Sequence, residues 1–177
     1  MTAAPVLDPR RTALVLVDLM DRLVALPLEP RKGTEVLAAA EELAARCRAE
    51  GALVVLVRVE RPAVPEQPPG SGLAAGLQRD GDLEVVKRTI GAFQGTGLDE
   101  RLRAHGVDTL VLGGIATNLG VESTARAAAD LGYELVFVED AMAAFTAAEH
   151  EASVRLDFPR LGTVTTTGRL GFGDGRG

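Results

Sequence analysis

The sequence predicts an α/β protein of three layers, with a six-stranded, mostly parallel sheet between two layers of helices. Two observations support this prediction. Short aliphatic runs alternate along the 177 residues with segments whose apolar residues recur at helical spacing. These runs are continuous rather than alternately apolar and polar, which is typical of parallel strands covered on both faces. A chain of this length is expected to form one domain over residues 1–177.

Six segments of the sequence are predicted to be strands. Parallel neighbours need right-handed crossovers, so helices should fill the intervals between them. Ligands of such sheets bind beyond the carboxyl ends of the strands. In chain order, the predicted strands are Thr12–Asp18, Ala52–Val59, Leu83–Lys87, Thr109–Gly113, Glu134–Glu139 and Thr163–Thr167.

The first predicted helix begins near Thr34, which can cap it, and ends at Gly51. Arg61–Gly72 holds four Pro and two Gly and is predicted to be a loop. The folded core is expected to span about residues 10–167, followed by a mobile, glycine-rich tail at Gly168–Gly177. The later helices are predicted at Leu98–His105, Leu119–Leu131 and Ala147–Phe158.

Composition narrows the class of protein. Hydrophobic residues make up 46% of the chain and charged residues 25%, as in soluble globular proteins. The net charge of −6 argues against nucleic acid and anionic membranes as partners, because both require a basic surface. The longest apolar run, Ala52–Val57, is far shorter than the ~20 residues of a membrane span. The apolar stretch after Arg10 and Arg11 is too short for an export signal, so we expect a cytoplasmic protein.

Cysteine and histidine are scarce in the chain. A single cysteine cannot form an internal disulfide, and two His provide few ligands for a transition-metal site. We therefore expect neither a metal nor another cofactor.

Two charged residues stand at predicted strand ends. Asp18 follows an aliphatic run, where partial burial would raise the pKa of its carboxyl and suit it to proton transfer. Lys87 could hold Asp18 ionised or stabilise a developing anion. The alternatives are a turn-capping aspartate and an ordinary surface lysine.

The segment from Val111 to Arg126 is the most informative in the sequence. A strand passes through a glycine-containing turn directly into a helix, whose first N–H groups can face an anion or an oxyanion. It has neither the GxxxxGK[ST] nor the GxGxxG spacing of phosphate-binding loops. It also lacks the GxSxG nucleophile elbow.

Six features together resemble the isochorismatase-like hydrolase superfamily, also called the cysteine hydrolases. The resemblance covers about residues 10–167 and implies that family's fold. Its members include nicotinamidases, N-carbamoylsarcosine amidases, ureidoacrylate amidases and isochorismatases. The features are Asp18 after a strand, Val86-Lys-Arg-Thr-Ile-Gly-Ala-Phe-Gln-Gly-Thr-Gly-Leu98, Gly114-Ile-Ala-Thr-Asn-Leu-Gly-Val121, Thr124-Ala-Arg126, Leu131-Gly-Tyr-Glu134 and Val138-Glu-Asp-Ala141.

The resemblance implies roles for individual residues. Asp18 matches the family's catalytic aspartate and Lys87 its catalytic lysine. Ile115 and Ala116 match a non-proline cis peptide that shapes the oxyanion site. The position of the nucleophilic cysteine is occupied here by Gly120. The remaining residues expected to bind the oxyanion or the substrate are Thr117, Asn118 and Phe93.

Gly120 removes the thiolate mechanism of the amidase branch, because glycine has no side chain. Cys47 cannot replace the missing thiol, since its spacing places it on the buried face of an earlier helix. The nicotinamidase metal site also lacks its ligands: Glu60 is followed by Arg-Pro-Ala, and His105 and His150 are expected on outer helices, exposed to solvent.

Three functions remain open. The first is a Cys-independent hydrolase in which Asp18 and Lys87 cleave a C–N amide or vinyl-ether bond of a small molecule. The second is a catalytically inactive homologue that binds a small molecule, and the third is a structural subunit of a mixed oligomer. The resemblance also implies a homo-oligomer, a dimer or a tetramer. The sequence assigns no cluster of Arg to substrate carboxylates.

Overall fold

The computed structural model describes residues 4–173 and has two sheets. The strands described are β1 (Val6–Leu7), β2 (Thr12–Val17), β3 (Leu53–Val59), β4 (Leu83–Lys87), β5 (Thr109–Ile115), β6 (Glu134–Ala143), β7 (Thr163–Thr165) and β8 (Gly171–Phe172). The helices described are α1 (Asp21–Val24), α2 (Gly33–Glu50), α3 (Leu98–Ala104), α4 (Glu122–Asp130), α5 (Ala147–Ala152) and α6 (Phe158–Leu161).

The main sheet has six strands in the order β4-β3-β2-β5-β6-β7, and every neighbouring pair is parallel. The predicted six-stranded α/β fold is therefore confirmed. From β2 the chain proceeds to one side through β3 and β4, then returns to β5 on the other side of β2. This reversal is the topological switch point at which such sheets bind ligands.

Alternate residues of β2 face two separate hydrophobic cores. Leu14 and Leu16 pack into the core that α2 covers, whereas Val15 and Val17 pack into the core that α3 and α4 cover. All six residues of β2 are buried. Burial on both faces explains why the sequence shows an unbroken aliphatic run there.

Several elements differ from the sequence prediction. The predicted helix Ala147–Phe158 is divided by a π-helical turn, Ser153–Asp157, which lies between α5 and α6. A π-helical turn also occupies Thr117–Val121 and leads into α4. Strand β6 extends beyond the predicted end at Glu139, because Met142 and Ala143 pair with Gly114 and Ile115 of β5 after a register shift.

The predicted tail is partly ordered, which corrects the expected end of the core at residue 167. Strand β8 pairs in parallel with β1, and Leu170 is buried. The Arg46 guanidinium donates to the carbonyls of Thr167 and Leu170, at 2.6 and 2.5 Å. These contacts fix the backbone beyond residue 167, while residues 174–177 of the predicted tail lie outside the described residues. Within 4–173, no helix is both long and apolar enough to cross a membrane.

Candidate active site

A cavity of about 380 Å³ lies beyond the carboxyl ends of β2, β3, β4 and β5. The reversal of strand order opens a crevice between β2 and β5, and the residues that follow these strands form its walls. The polar lining side chains include Asp18, Glu60, Arg61, Lys87, Arg88 and Thr89. Its apolar and glycine lining residues are Leu23, Val59, Pro62, Ile90, Ile115, Ala116, Leu119, Gly120 and Phe145.

Asp18 and Lys87 form a buried ion pair in this cavity. The Lys87 Nζ lies 2.9 Å from Asp18 Oδ2, and the two side chains are 2% and 8% exposed. The same ammonium donates to the carbonyl oxygens of Thr89 and Ile90, at 3.2 and 2.7 Å. All three ammonium protons thus have acceptors, and these hydrogen bonds offset the free-energy cost of removing the charge from water.

Asp18 has a second carboxylate oxygen that no neighbour uses. Among the described residues, Oδ1 is buried without a hydrogen-bond partner. Burial raises the pKa of Asp18, and the opposing effects of Lys87 and, more weakly, Arg22 do not cancel it. A carboxyl group with a raised pKa and a free oxygen can accept or deliver a proton at a ligand.

Gly120 lies directly beside this carboxylate. A Cβ atom at position 120 would lie 3.2 Å from Asp18 Oδ2 and 3.0 Å from Val17 Cγ1. The position where the resemblance places a nucleophile is therefore in contact with the predicted proton acceptor. In this chain, residue 120 itself places no side chain next to Asp18.

The close approach of β2 and β5 brings Asp18 to the turn that contains Gly120. Gly114 has φ 126°, and a Cβ there would lie 2.1 Å from the carbonyl oxygen of Val17, so only glycine fits. The following peptide bond, between Ile115 and Ala116, is cis. The helical run that begins at Thr117 and continues as α4 starts at the cavity wall.

The structure brings only some of the predicted site residues together. Asp18, Lys87, Ile115, Ala116 and Gly120 all line the cavity.

The other predicted residues lie elsewhere. Thr117 is fully buried, and a hydrogen bond of 2.8 Å joins its hydroxyl to His150 Nδ1. Asn118 is partly buried and does not line the cavity. Phe93 packs against Tyr133, with ring centroids 6.0 Å apart, and lines a neighbouring cavity of about 760 Å³ beside α4.

Sequence reasoning missed two residues that hold the cavity wall in place. The Thr124 hydroxyl donates to the Gly120 carbonyl at 2.6 Å and accepts from the Ala92 N–H at 3.1 Å. It thus joins the segment after β4 to the turn after β5. His150, expected in solvent, is only 1% exposed, and this burial lowers its pKa. His105 is exposed, as predicted.

Cys47 lies in the core under α2, where burial raises the pKa of its thiol to about 12. It does not line the cavity and is not a candidate nucleophile. In the described part of the chain, no group of three or more His, Cys, Asp or Glu side chains is placed to hold a metal ion.

Residues 12–169 match the family model of the isochorismatase domain. The chain therefore belongs to the isochorismatase family, in agreement with the resemblance seen in the sequence.

Individual relatives agree with this assignment. The isochorismatase family protein YecD of Escherichia coli O157:H7 is 41% identical over 175 residues, which cover 89% of this chain and 93% of that protein. The structure of an isochorismatase family protein from Burkholderia thailandensis is 37% identical, with a TM-score of 0.87 over 95% of this chain and 97% of the other. N-carbamoylsarcosine amidase from Thermoplasma acidophilum is 28% identical, with a TM-score of 0.77 over 89% of this chain and 96% of the other.

Proposed function

We propose that the protein is a hydrolase of a small molecule that works without a cysteine nucleophile. The observation that carries the proposal is the buried Asp18–Lys87 pair, which lies beside Gly120 and leaves Asp18 Oδ1 without a partner. An ion pair of this kind is costly to bury. Its position in a cavity, together with the raised pKa of Asp18, favours a catalytic role. The similarity to an N-carbamoylsarcosine amidase supports a C–N bond as the target.

In this mechanism, water occupies the space next to Gly120. Asp18 takes a proton from the water, and the resulting hydroxide attacks the carbonyl carbon of the substrate. The start of the helical run at Thr117 favours the negative charge that develops on the carbonyl oxygen. Asp18 then returns the proton to the leaving nitrogen as the C–N bond breaks. Lys87 keeps the carboxylate in place and available throughout.

A vinyl ether is the second candidate substrate, because the raised pKa of Asp18 also suits it to donate a proton to carbon. Asp18 would protonate the alkene carbon to give an oxocarbenium ion, and water would add to this ion as Asp18 takes a proton back. The resulting hemiketal would then break its ether C–O bond and release a ketone and an alcohol. This route needs protonated Asp18 at the start, whereas C–N hydrolysis needs the carboxylate.

The test is a turnover screen of small amides, carbamoyl compounds and isochorismate. We expect turnover by the wild type to survive iodoacetamide treatment and the Cys47→Ala substitution. Asp18→Asn should lower it by about 100-fold or more, as for loss of a general acid or base.

Two outcomes would contradict the proposal. Loss of turnover in folded Cys47→Ala would mean that a thiol is needed after all. Ligand binding without any turnover would instead favour the inactive small-molecule binder, for which the replacement of the nucleophile by Gly120 is the supporting observation.

A further inference from the structure

His150 is a buried titratable side chain that the proposed mechanism does not use. It lies on α5 and is 1% exposed. Its Nδ1 lies 2.8 Å from the hydroxyl oxygen of Thr117, which is itself fully buried. Thr117 is the first residue of the helical run after β5, so this contact ties the imidazole to the turn that forms the cavity wall.

The hydrogen bond determines which nitrogen of His150 carries the proton. Among residues 4–173, His150 Nδ1 is the only hydrogen-bond partner of the Thr117 hydroxyl. A buried hydroxyl needs an acceptor for its proton, so Thr117 donates and Nδ1 accepts. A nitrogen that accepts carries no proton, and the ring is therefore neutral with its proton on Nε2.

The charged groups around the ring favour this neutral form. Burial lowers the pKa of His150 below 6.5, and Arg31, from the segment before α2, acts in the same direction. Arg155, in the π-helical turn after α5, adds to the effect, whereas Glu151 opposes it. Glu139 of β6 lies 3.9 Å from Arg155 and pairs with that cation. An imidazolium at this place would be both desolvated and repelled by two cations.

The turn that begins at Thr117 is preceded by an unused backbone donor. Ala116 lines the cavity, and within the described residues no hydrogen bond engages its N–H. Its carbonyl, by contrast, accepts from the N–H groups of Leu119 and Val121, at 3.2 and 3.3 Å. A free N–H at the wall stabilises the charge that develops on a carbonyl oxygen only if its position is fixed.

Two side chains hold this turn, and only one of them titrates. At one end, the Thr124 hydroxyl donates to the Gly120 carbonyl, and neither group changes its protonation at ordinary pH. At the other end, the contact between Thr117 and His150 needs the neutral ring. The position of the turn therefore depends on the protonation state of His150.

We propose that His150 is a positioning residue of this site, which acts through Thr117 to hold the Ala116 N–H at the substrate. This role rests on the hydrolase function proposed above. The neutral ring accepts from Thr117 and fixes the turn. A proton taken up at Nδ1 removes this acceptor and places a cation near Arg31 and Arg155, so the turn is released as the pH falls.

The first test is the tautomer of His150 in the wild type, read from the ring ¹⁵N shifts by NMR at about pH 7.5. We expect a neutral ring with the proton on Nε2. His105 is an internal reference of opposite tautomer, because its Nδ1 lies 2.7 Å from the Arg101 carbonyl, which can only accept. A proton on His150 Nδ1, or a charged ring at this pH, would overturn the inference.

The second test asks whether the turn follows the titration of His150. In the wild type, the backbone amide signal of Ala116 should shift with the same inflection as the His150 ring. Thr117→Val keeps the shape and removes the hydroxyl, so it should abolish this inflection, whereas Thr117→Ser should retain it. The amide of Gly132, beyond the far end of α4, is the control and should not follow the ring. An Ala116 signal that ignores the ring, or an inflection that survives Thr117→Val, would contradict the proposal.

The third test separates positioning from a purely structural role by kinetics. With the compound that the screen above hydrolyses fastest, His150→Leu should lower kcat about tenfold and leave KM within about twofold. Thr117→Val, which breaks the same contact from the other side, should act alike. His150→Asn should recover most of kcat, because its amide oxygen offers an acceptor in place of Nδ1. His105→Leu is the matched control and should behave as the wild type.

Unchanged kcat in folded His150→Leu and Thr117→Val would overturn the positioning role, as would equal losses in His150→Leu and His150→Asn. If the screen yields no turnover, the hydrolase proposal fails. The two NMR tests still decide whether His150 holds the turn, because neither depends on a substrate.

Discussion

Asp18 has features that a turn-capping residue does not need. Its φ of 56° is in the left-handed region, which costs a non-glycine residue free energy. Its carboxylate caps no backbone N–H among the described residues: Oδ2 faces Lys87, and Oδ1 has no partner. The structure therefore does not support the alternative that Asp18 is a turn-capping residue. Three unfavourable terms, namely strain, burial and an unsatisfied oxygen, coincide at one residue in the cavity.

The raised pKa of Asp18 predicts the sign of the pH dependence of hydrolysis. For a C–N bond, Asp18 must be ionised, so kcat/KM should rise with pH through a pKa above the ordinary 3.8 and then level off. Lys87→Met should move this inflection to higher pH, because it removes the ammonium that lowers the pKa. The measurement is a pH–rate profile of both proteins. A rate that falls through the same pKa would instead indicate the vinyl-ether route.

Gly120→Cys should create a reactive thiol at the position where the resemblance places one. The new side chain would touch Asp18, and the backbone of Gly120 is outside the left-handed region, so small shifts of Val17 and Asp18 are required. In a Cys47→Ala background, we expect iodoacetamide to modify one thiol at neutral pH, faster than it modifies Ser123→Cys on the same helical run. The buried Cys47 of the wild type should not react. Equal rates at positions 120 and 123 would contradict the predicted activation.

At the scale of elements, the turn after β5 depends on contacts from three directions. Strand β2 packs against Gly114, Thr124 of α4 holds Gly120, and His150 of α5 holds Thr117. The cavity wall is therefore positioned by elements that are distant in sequence.

Gly114→Ala should disrupt the junction between β2 and β5. The added Cβ would overlap the Val17 carbonyl in an unfavourable φ region, so we expect a loss of about 3 kcal/mol or more in the free energy of unfolding. Gly132→Ala is the matched control, because Gly132 also has positive φ but no atom within 4 Å of the added Cβ. It should cost only about 1–2 kcal/mol. Urea denaturation of the two variants gives the comparison, and equal losses would contradict the predicted clash.

His150 predicts a pH-dependent contribution to stability. Burial lowers its pKa below 6.5 in the folded protein, and Arg31 and Arg155 act in the same direction while Glu151 opposes them. The unfolded chain therefore takes up a proton first as the pH falls through 6.5, and the free energy of unfolding should decrease until the lowered pKa is passed.

The measurement is the urea midpoint between about pH 7.5 and pH 5. His150→Gln should flatten the profile in this range. His105→Gln, at an exposed position, should keep the slope of the wild type. A slope that survives His150→Gln would assign the effect to other groups.

The sequence predicts strand ends better than contacts between elements. Asp18, Lys87 and Ile115 are brought together by one rule, because the carboxyl ends of parallel strands meet at one edge of the sheet. His150 is buried and joined to Thr117 by a hydrogen bond, a contact that no local pattern in α5 reveals. The backbone of Arg61 is likewise held by Gln67, within a proline-rich loop that has no periodicity. The resemblance alone places Phe93 in the site, but its ring packs on Tyr133.

At the scale of the whole molecule, β1 pairs with β8, and the segment that leads into β8 packs against α2. Leu170 is buried in the core under α2, so Leu170→Ala should cost about 2–4 kcal/mol in the free energy of unfolding. Leu156→Ala, at a side chain that is 60% exposed, is the control and should cost less than about 1 kcal/mol. Thermal denaturation of the two variants tests whether the segment beyond residue 167 belongs to the cooperative unit. Equal melting temperatures would contradict it.

The homo-oligomer implied by the resemblance stays a prediction. Ile90, Leu119 and Phe145 line the cavity and are 61%, 44% and 45% exposed. Light scattering at micromolar concentration measures the oligomeric state of the protein directly.

The parallel pairing of β2 with β5 also determines when the cavity can form as the chain folds. Thr12 pairs with Thr109, so closing this pair brings together two distant parts of the chain, a slow and entropically costly step. During synthesis, Asp18 and Lys87 emerge before Gly120, and one edge of β2 stays unpaired until β5 is available. An open edge of that kind is a template for association with other chains. The step that completes the cavity is therefore the same step that removes this hazard from the nascent protein.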